Sequence, residues 1–383
     1  MLHTSSIELK RKALNNNICY MRRLAGDGVR YSMVVKANAY GHGIEELVPL
    51  IEGCAVDHLA VFSAAEARRV QQVKAPGTDL MIMGFIDHDQ LDWAIGQGIS
   101  FFVFTFERLH AALAAARRVG RPARLHIEVE TGMHRTGFCE DELAEVARLL
   151  RDHPDQLHRE GLCTHFAGAE DAANYGRVKA QMRSYHTICD WFGERGLRFD
   201  YRHMACSAGL LRFPESALDM VRIGIANYGF WPSQELRTRY LYENDELSDP
   251  LVRVLRWKSV VMSINRVPEG AYVSYGNSFM TNRDSRIATV PVGYGYGFSR
   301  TLSNAGRVLL RGRRVPVVGV VNMNMLVIDA TDVPQAEVGD EVMLIGTQGE
   351  HTITVSSFSD MNNSLNYELL ARLPGHIPRH PVE

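Results

Sequence analysis

No apolar run in this 383-residue chain approaches the roughly 20 residues that a membrane-spanning helix needs; the longest cover residues 80–86 and 99–106. The opening residues, Met1-Leu-His-Thr-Ser-Ser-Ile-Glu-Leu-Lys, also lack the apolar core of an export signal. Charge of neither sign is in excess: 42 Lys and Arg against 44 Asp and Glu give a net charge of -2. That balance removes the electrostatic case for nucleic acid or an anionic membrane as partner. The 6 cysteines form no C-x-x-C pair and no metal-ligand spacing, and a chain of this length needs no disulfide framework. The expectation is a soluble, cytoplasmic protein with reduced thiols and no metal site. Internal repeats and low-complexity segments are missing too. What the chain has in quantity is glycine, 32 residues, a residue placed where backbone must approach something closely.

Short β-rich runs at 31–35, 58–62, 80–84, 100–104, 124–129, 161–165, 201–205 and 220–223 alternate with helical patterns at 44–52, 64–72, 107–118, 141–152 and 175–193. Strands that are near-continuously apolar and alternate with helices read as a parallel sheet, and a count of eight favours closure into a (β/α)₈ barrel over an open doubly wound sheet. A polar stretch at 243–250 reads as a linker, and the alternating runs beyond it, separated by turns such as Pro268-Glu-Gly270 and Val338-Gly-Asp340, read as a mostly β domain. The expected division is an α/β barrel over 1–245 and a β domain over 246–383.

Met33-Val-Val-Lys-Ala-Asn-Ala-Tyr-Gly-His-Gly43 places a lysine at the C-terminal end of the first strand, the face where barrel active sites are built. A lysine arriving on an apolar strand has a depressed pKa, which suits Schiff-base chemistry. A lone lysine of this kind is more often a strand-end residue reaching solvent; its neighbours reverse that reading. The string resembles the pyridoxal-phosphate lysine motif of the alanine racemase family. Further matches follow in order: Glu130-Thr-Gly-Met-His-Arg-Thr-Gly-Phe138, Leu162-Cys-Thr-His-Phe-Ala167, Asp219-Met-Val-Arg-Ile-Gly-Ile-Ala-Asn-Tyr-Gly229, Val273-Ser-Tyr-Gly276 and Val290-Pro-Val-Gly-Tyr-Gly295. Together they span nearly the whole chain.

The resemblance implies a pyridoxal-phosphate-dependent racemase that interconverts L- and D-amino acids with two bases. Lys36 is expected to hold the cofactor and act as one base at the substrate Cα, with Tyr275 the other on the opposite face. In the family that tyrosine comes from a second subunit, which implies a homodimer with shared sites. Arg222 is expected at the pyridine nitrogen, where a permanently charged guanidinium keeps the nitrogen unprotonated and favours prompt reprotonation of the substrate. His165 is expected beside the ring. Ser207, Tyr40 and the backbone N–H groups of Gly224 and Ile225 are expected at the phosphate, Arg135 at the cofactor and the substrate carboxylate, and the Met323 backbone N–H at that carboxylate. Tyr294 and Arg300 match residues lining the family's entry corridor.

Several positions depart from the family pattern. Glu128 stands where most members carry a lysine, usually carbamylated, and supplies negative charge on a shorter stem. Cys206 replaces the usual asparagine beside the phosphate-site serine. Asn322-Met-Asn324 replaces a carboxylate near the substrate with an amide, and Gly375 falls where a gate tyrosine is usual. Loss of that ring points to a substrate larger than alanine, or to broad specificity. The alternatives are a decarboxylase of the same two-domain plan, disfavoured because such enzymes place a carboxylate at the pyridine nitrogen; a pyridoxal-phosphate-binding barrel without racemase activity, disfavoured by the second domain; and a metal-dependent enzyme acting on β-hydroxy amino acids, for which His376 and His380 are too sparse.

Overall fold

The computed structural model describes residues 4–244, 248–355 and 366–383. The chain divides into two compact units, one of residues Ala13–Ala37 and Val48–Val252 and one of Met1–Lys12, Asn38–Leu47 and Arg253–Glu383. Its first strand, β1 (Ser5–Lys10), belongs to the second of these.

In the barrel unit eight parallel strands follow one another: β2 (Arg30–Val34), β3 (His58–Val61), β4 (Asp79–Ile82), β5 (Ser100–Val103), β6 (Ala123–Glu128), β7 (Leu157–Cys163), β8 (Tyr201–His203) and β9 (Met220–Ile223). Each pairs with its neighbour from β2 to β8, and β9 pairs with β2. Between β8 and β9 the Asp219 N–H donates to the Arg202 carbonyl (3.1 Å) and the Arg222 N–H to the Ala205 carbonyl (3.0 Å), which nearly closes the ring. The expected (β/α)₈ architecture is present. The helices between the strands carry ordinary start signals. Ser63 and Glu66 form a capping box on Ala64–Val73, and Thr105 caps Phe106–Val119. In Leu143–Asp152 the buried residues Leu143, Val146, Ala147, Leu149 and Leu150 form one apolar stripe.

The barrel interior departs from the sequence expectation. Barrels of this kind are commonly filled by branched aliphatic side chains. Here Ser32, His58, Ser100, His126, His203 and Arg222 are all buried. The expected strand at 161–165 in fact begins at Leu157 and ends at Cys163. His158, Arg159 and Glu160 break the apolar run, yet Glu160 is buried and bonded to Arg124 across the β6–β7 ladder (2.6 and 2.8 Å).

The second unit is built from β10 (Leu255–Val260), β11 (Ser263–Val267), β12 (Ser285–Val290), β13 (Arg307–Leu310), β14 (Arg313–Pro316), β15 (Leu326–Asp329), β16 (Glu341–Gln348), β17 (His351–Ile353) and β18 (Arg379–Val382). One sheet runs β14-β13-β16-β10-β1-β18 with β17 on β16, and a second runs β11-β12-β15. A mostly β unit was expected, but residues 1–245 were all expected in the barrel. β1 alternates buried Ile7 and Leu9 with Glu8, pairs antiparallel with β10 (Glu8 opposite Arg256) and parallel with β18. Glu8 lies against Arg256 and Lys258, and Trp257 donates to Ser5 Oγ (2.8 Å). The proposed boundary at 245–246 lies outside the described residues.

Candidate active site

In the barrel unit the predicted site residues gather at the C-terminal ends of the strands. Lys36 follows β2 and opens a short turn in which Ala37, Asn38, Ala39 and Tyr40 all have φ between 51° and 54°. A left-handed helical turn of non-glycine residues costs about 1–2 kcal/mol per residue, so it persists only where its surroundings hold it. Glu66 supplies one anchor, its Oε1 accepting from the Ala37 N–H (2.6 Å) while Oε2 caps its own helix at Phe62 and Ser63. In the second unit Arg379 donates to the Gly41 carbonyl (2.9 and 3.2 Å), and Asn38 Oδ1 accepts from the Ile44 N–H (3.2 Å). A Cβ at Gly41 would lie 1.9 Å from the Leu370 carbonyl oxygen, so only glycine fits.

Burial, opposed in part by Cys206 and Glu66 and reinforced by the Arg135 and Arg222 charges, pulls the Lys36 ammonium below its ordinary pKa. His165, just past β7, is pushed down to about 3 by burial and then by Arg222, Arg135 and Lys36. It is therefore neutral at neutral pH. Its carbonyl accepts from Gln181 Nε2 (2.9 Å), and Gln181 Oε1 accepts from the Ala167 N–H (2.8 Å). Arg222 donates to His203 Nδ1, to the His203 carbonyl (3.2 Å) and to the Thr164 carbonyl (2.8 Å). Its Nε–H has no partner among the described residues. Ser207 Oγ accepts from the N–H groups of Gly224 (3.1 Å) and Ala226 (3.4 Å), with Ile225 buried between them.

The loop carrying Arg135 is cradled by Glu130, whose carboxylate accepts from the N–H groups of Gly132, Met133 (2.7 Å) and His134 (2.7 Å) and is held below the usual carboxylate range by those bonds, against the opposing effect of burial. Glu128, at the end of β6, is buried, which raises its pKa against the lowering effects of Thr136, Arg222 and Arg135.

In the second unit Tyr275, Tyr294, Arg300, Asn322, Met323 and Asn324 line a cavity of about 600 Å³. Tyr275 sits on a turn with Ser274 at φ 70°, pinned by Ser274 Oγ donating to the Val320 carbonyl (2.9 Å). Gly319, itself at φ 71°, makes room for it: a Cβ there would lie 2.6 Å from Ser274 Cβ and 2.7 Å from the Val273 oxygen. Tyr40 belongs to this unit too, its ring edge-on to that of Tyr367 at 6.4 Å. Sequence reasoning missed Glu66, Gln181 and Gly319 as supports. Only Glu66 had a readable signal, the Ser63-x-x-Glu66 capping pattern.

Residues 9–232 match the model of the alanine racemase N-terminal domain and residues 254–381 that of the C-terminal domain. The chain belongs to the alanine racemase family. It is 32% identical over 381 residues to the alanine racemase of Leptospira interrogans, covering 100% of this chain and 96% of that one, and 35% identical over 377 residues to that of Symbiobacterium thermophilum, covering 97% and 95%. Among solved structures, alanine racemase from Bacillus anthracis with bound L-Ala-P superposes at a TM-score of 0.90 with 29% identity, over 100% of this chain and 96% of that one. Alanine racemase from Bartonella henselae with covalently bound pyridoxal phosphate superposes at 0.84 with 25% identity, over 100% of both chains. The chain is accordingly a pyridoxal-phosphate-dependent amino-acid racemase of barrel-plus-β-domain architecture. No helix among the described residues is long and apolar enough to cross a membrane.

Proposed function

We propose that racemisation here uses Lys36 and Tyr275 as paired proton-transfer groups on opposite faces of the substrate Cα. The observation that carries this reading is the Lys36 amine, half-buried after β2 and held below its ordinary pKa by desolvation and by Arg135 and Arg222. A lowered pKa favours the neutral amine that a proton acceptor requires. Bound pyridoxal phosphate supplies the electron-withdrawing system that acidifies the Cα–H. The residues fit that group. Within the barrel unit Arg222, whose Nε–H is unengaged, would meet the pyridine nitrogen, Ser207 with the Gly224 and Ile225 N–H groups would hold the phosphate, and His165, neutral, would flank the ring without adding charge; Tyr40, in the second unit, is a further candidate for the phosphate. In the barrel unit Arg135 is the candidate for the substrate carboxylate; in the second unit the Met323 N–H is a further candidate, and Tyr294 and Arg300 line the cavity beside Tyr275.

The active unit in this reading is a cytoplasmic homodimer in which Tyr275 comes from the second subunit. Its support is exposure: Tyr275 is 72% exposed, and Met323, Tyr272 and Met280 of the same unit are also exposed, a concentration of large apolar side chains that a partner surface covers. The substrate is alanine or a larger amino acid, or the specificity is broad. This reading rests on Gly375 standing where the family pattern has a gate tyrosine.

Lys36→Ala and Tyr275→Phe test the assignment. Each is expected to lose racemisation, and Lys36→Ala to lose the visible absorbance of lysine-bound cofactor. Mixing the two inactive variants restores about a quarter of wild-type activity if Tyr275 acts in trans, because half of randomly paired dimers carry one intact site. No recovery refutes the shared site. A kcat/KM panel across L-amino acids tests the pocket, and strong preference for alanine refutes the enlarged-pocket reading.

A further inference from the structure

Behind Arg222 the barrel holds a line of polar groups, buried next to Arg222 and partly exposed farther down, that the reaction itself does not use. From the top, Arg222 donates to His203 Nδ1, His203 Nε2 lies 2.8 Å from His126 Nδ1, and His126 Nε2 faces Glu160 Oε1 at 3.6 Å. Glu160 is gripped by Arg124 through two bonds of 2.6 and 2.8 Å, Arg124 reaches Asp79 (3.1 Å), and Asp79 reaches Arg30 (2.6 Å). His126 and His203 are fully buried and Glu160 nearly so.

The direction of every bond in this line is determined. A guanidinium has only donors, so His203 Nδ1 must accept from Arg222 and its proton resides on Nε2. That Nε2–H can only donate to His126 Nδ1, which forces the His126 proton onto its own Nε2. At 3.6 Å the Nε2–H is too far from Glu160 for a full hydrogen bond, but a carboxylate at that distance, in a site with little water, selects the tautomer that points N–H toward it. The charges around the two rings are Arg222 and Arg124, Glu160, and the neighbouring His58. Burial, which counts against the protonated form, keeps both rings neutral.

We propose that His126 and Glu160 are positioning residues for racemisation: through fixed imidazole tautomers they orient Arg222 so that its free N–H edge faces the cofactor ring. Two neutral imidazoles thus stand between a cation and its counter-ion. The line transmits orientation and moves no proton: reversing His203 sets N–H against N–H at Arg222, and reversing His126 sets N–H against the N–H of His203. The proposal rests on Arg222 facing the cofactor.

Histidine-labelled holoenzyme read by nitrogen-15 chemical shifts tests the tautomers without reference to turnover. Expected is a protonated Nε2 and a bare Nδ1 on both His126 and His203 across the neutral pH range. A proton on either Nδ1, or two protons on either ring, overturns the proposal even if racemase activity is normal. His126→Asn, whose Oδ1 still accepts from His203, is expected to retain kcat within about threefold. His126→Phe, with no acceptor, is expected to lose kcat on the order of tenfold at little change in KM, the scale on which orienting outer partners act. A merely structural role lowers the stability of both variants without separating their kcat values, so equal losses of kcat in the two overturn the proposal. If His126→Phe does not fold, the wild-type tautomers still decide.

Discussion

His58 offers a direct measure of what a polar barrel interior does to stability. It is 1% exposed, its Nδ1 lies 2.9 Å from Ser32 Oγ, and its Nε2 has no partner among the described residues. Burial, and then the Arg30 charge and His126, depress its pKa from 6.5 to about 3. The sign follows from linkage. As pH falls through 6.5 the unfolded chain takes up a proton that the folded chain refuses, so stability is present above that value and is lost steadily until about pH 3. At about pH 5 the difference is roughly 1.5 pH units at about 1.4 kcal/mol each, or about 2 kcal/mol from this one ring. The perturbation is His58→Asn, which keeps a polar atom near Ser32 and does not titrate. Urea unfolding, followed by the fluorescence of the barrel-unit tryptophans Trp93, Trp191 and Trp231, is compared at about pH 8 and about pH 5 for both proteins. The variant's loss between the two conditions is expected to be smaller by about 2 kcal/mol, whatever its stability at either one. Equal losses refute the reasoning, because they mean that His58 is protonated in the folded barrel or that the unfolded state shields it.

Glu160 acts in a lower window. Its pKa is held at about 2 against an ordinary 4.5 by His126 and Arg124 despite burial, so its contribution is present above pH 4.5 and disappears as pH falls toward 2; Glu160→Gln is expected to remove that second acid-sensitive phase, and an unchanged acid limb below pH 4.5 counts against it. Tyr185 is fully buried, donating to the Leu162 carbonyl (2.6 Å) and accepting from the His203 N–H (3.1 Å), so Tyr185→Phe leaves two backbone groups short of a partner and costs about 1–3 kcal/mol. A thermal midpoint equal to wild type refutes this. Gly319→Ala forces a Cβ into the Tyr275 turn at a left-handed position, costing about 1–2 kcal/mol for the backbone alone; kcat is expected to fall while cofactor binding holds, and unchanged kcat shows that the turn does not set the Tyr275 position.

The division between sequence and tertiary structure runs through particular residues. Chain-local signals were sufficient for the barrel count, since strands such as His58–Val61 and Ser100–Val103 are short apolar runs between helical segments whose caps are written within four residues. The motif around Lys36 and the turn around Tyr275 were legible because their chemistry is carried by contiguous strings. Local pattern failed where the partner lies far along the chain. β1 has no meaning as a strand until β10 and β18, more than 240 residues later, supply its hydrogen bonds. The polar run His158-Arg-Glu160 reads as a break until Arg124 is placed opposite it. Composition and periodicity report which residues are apolar, and so they report where a core forms. They do not report which buried polar groups face each other, because that depends on barrel closure and strand register. The sequence by itself therefore determined the architecture and named the proposed reactive residues, while only the tertiary structure decided which buried polar groups hold Arg222, among them His203, which no motif connects to it.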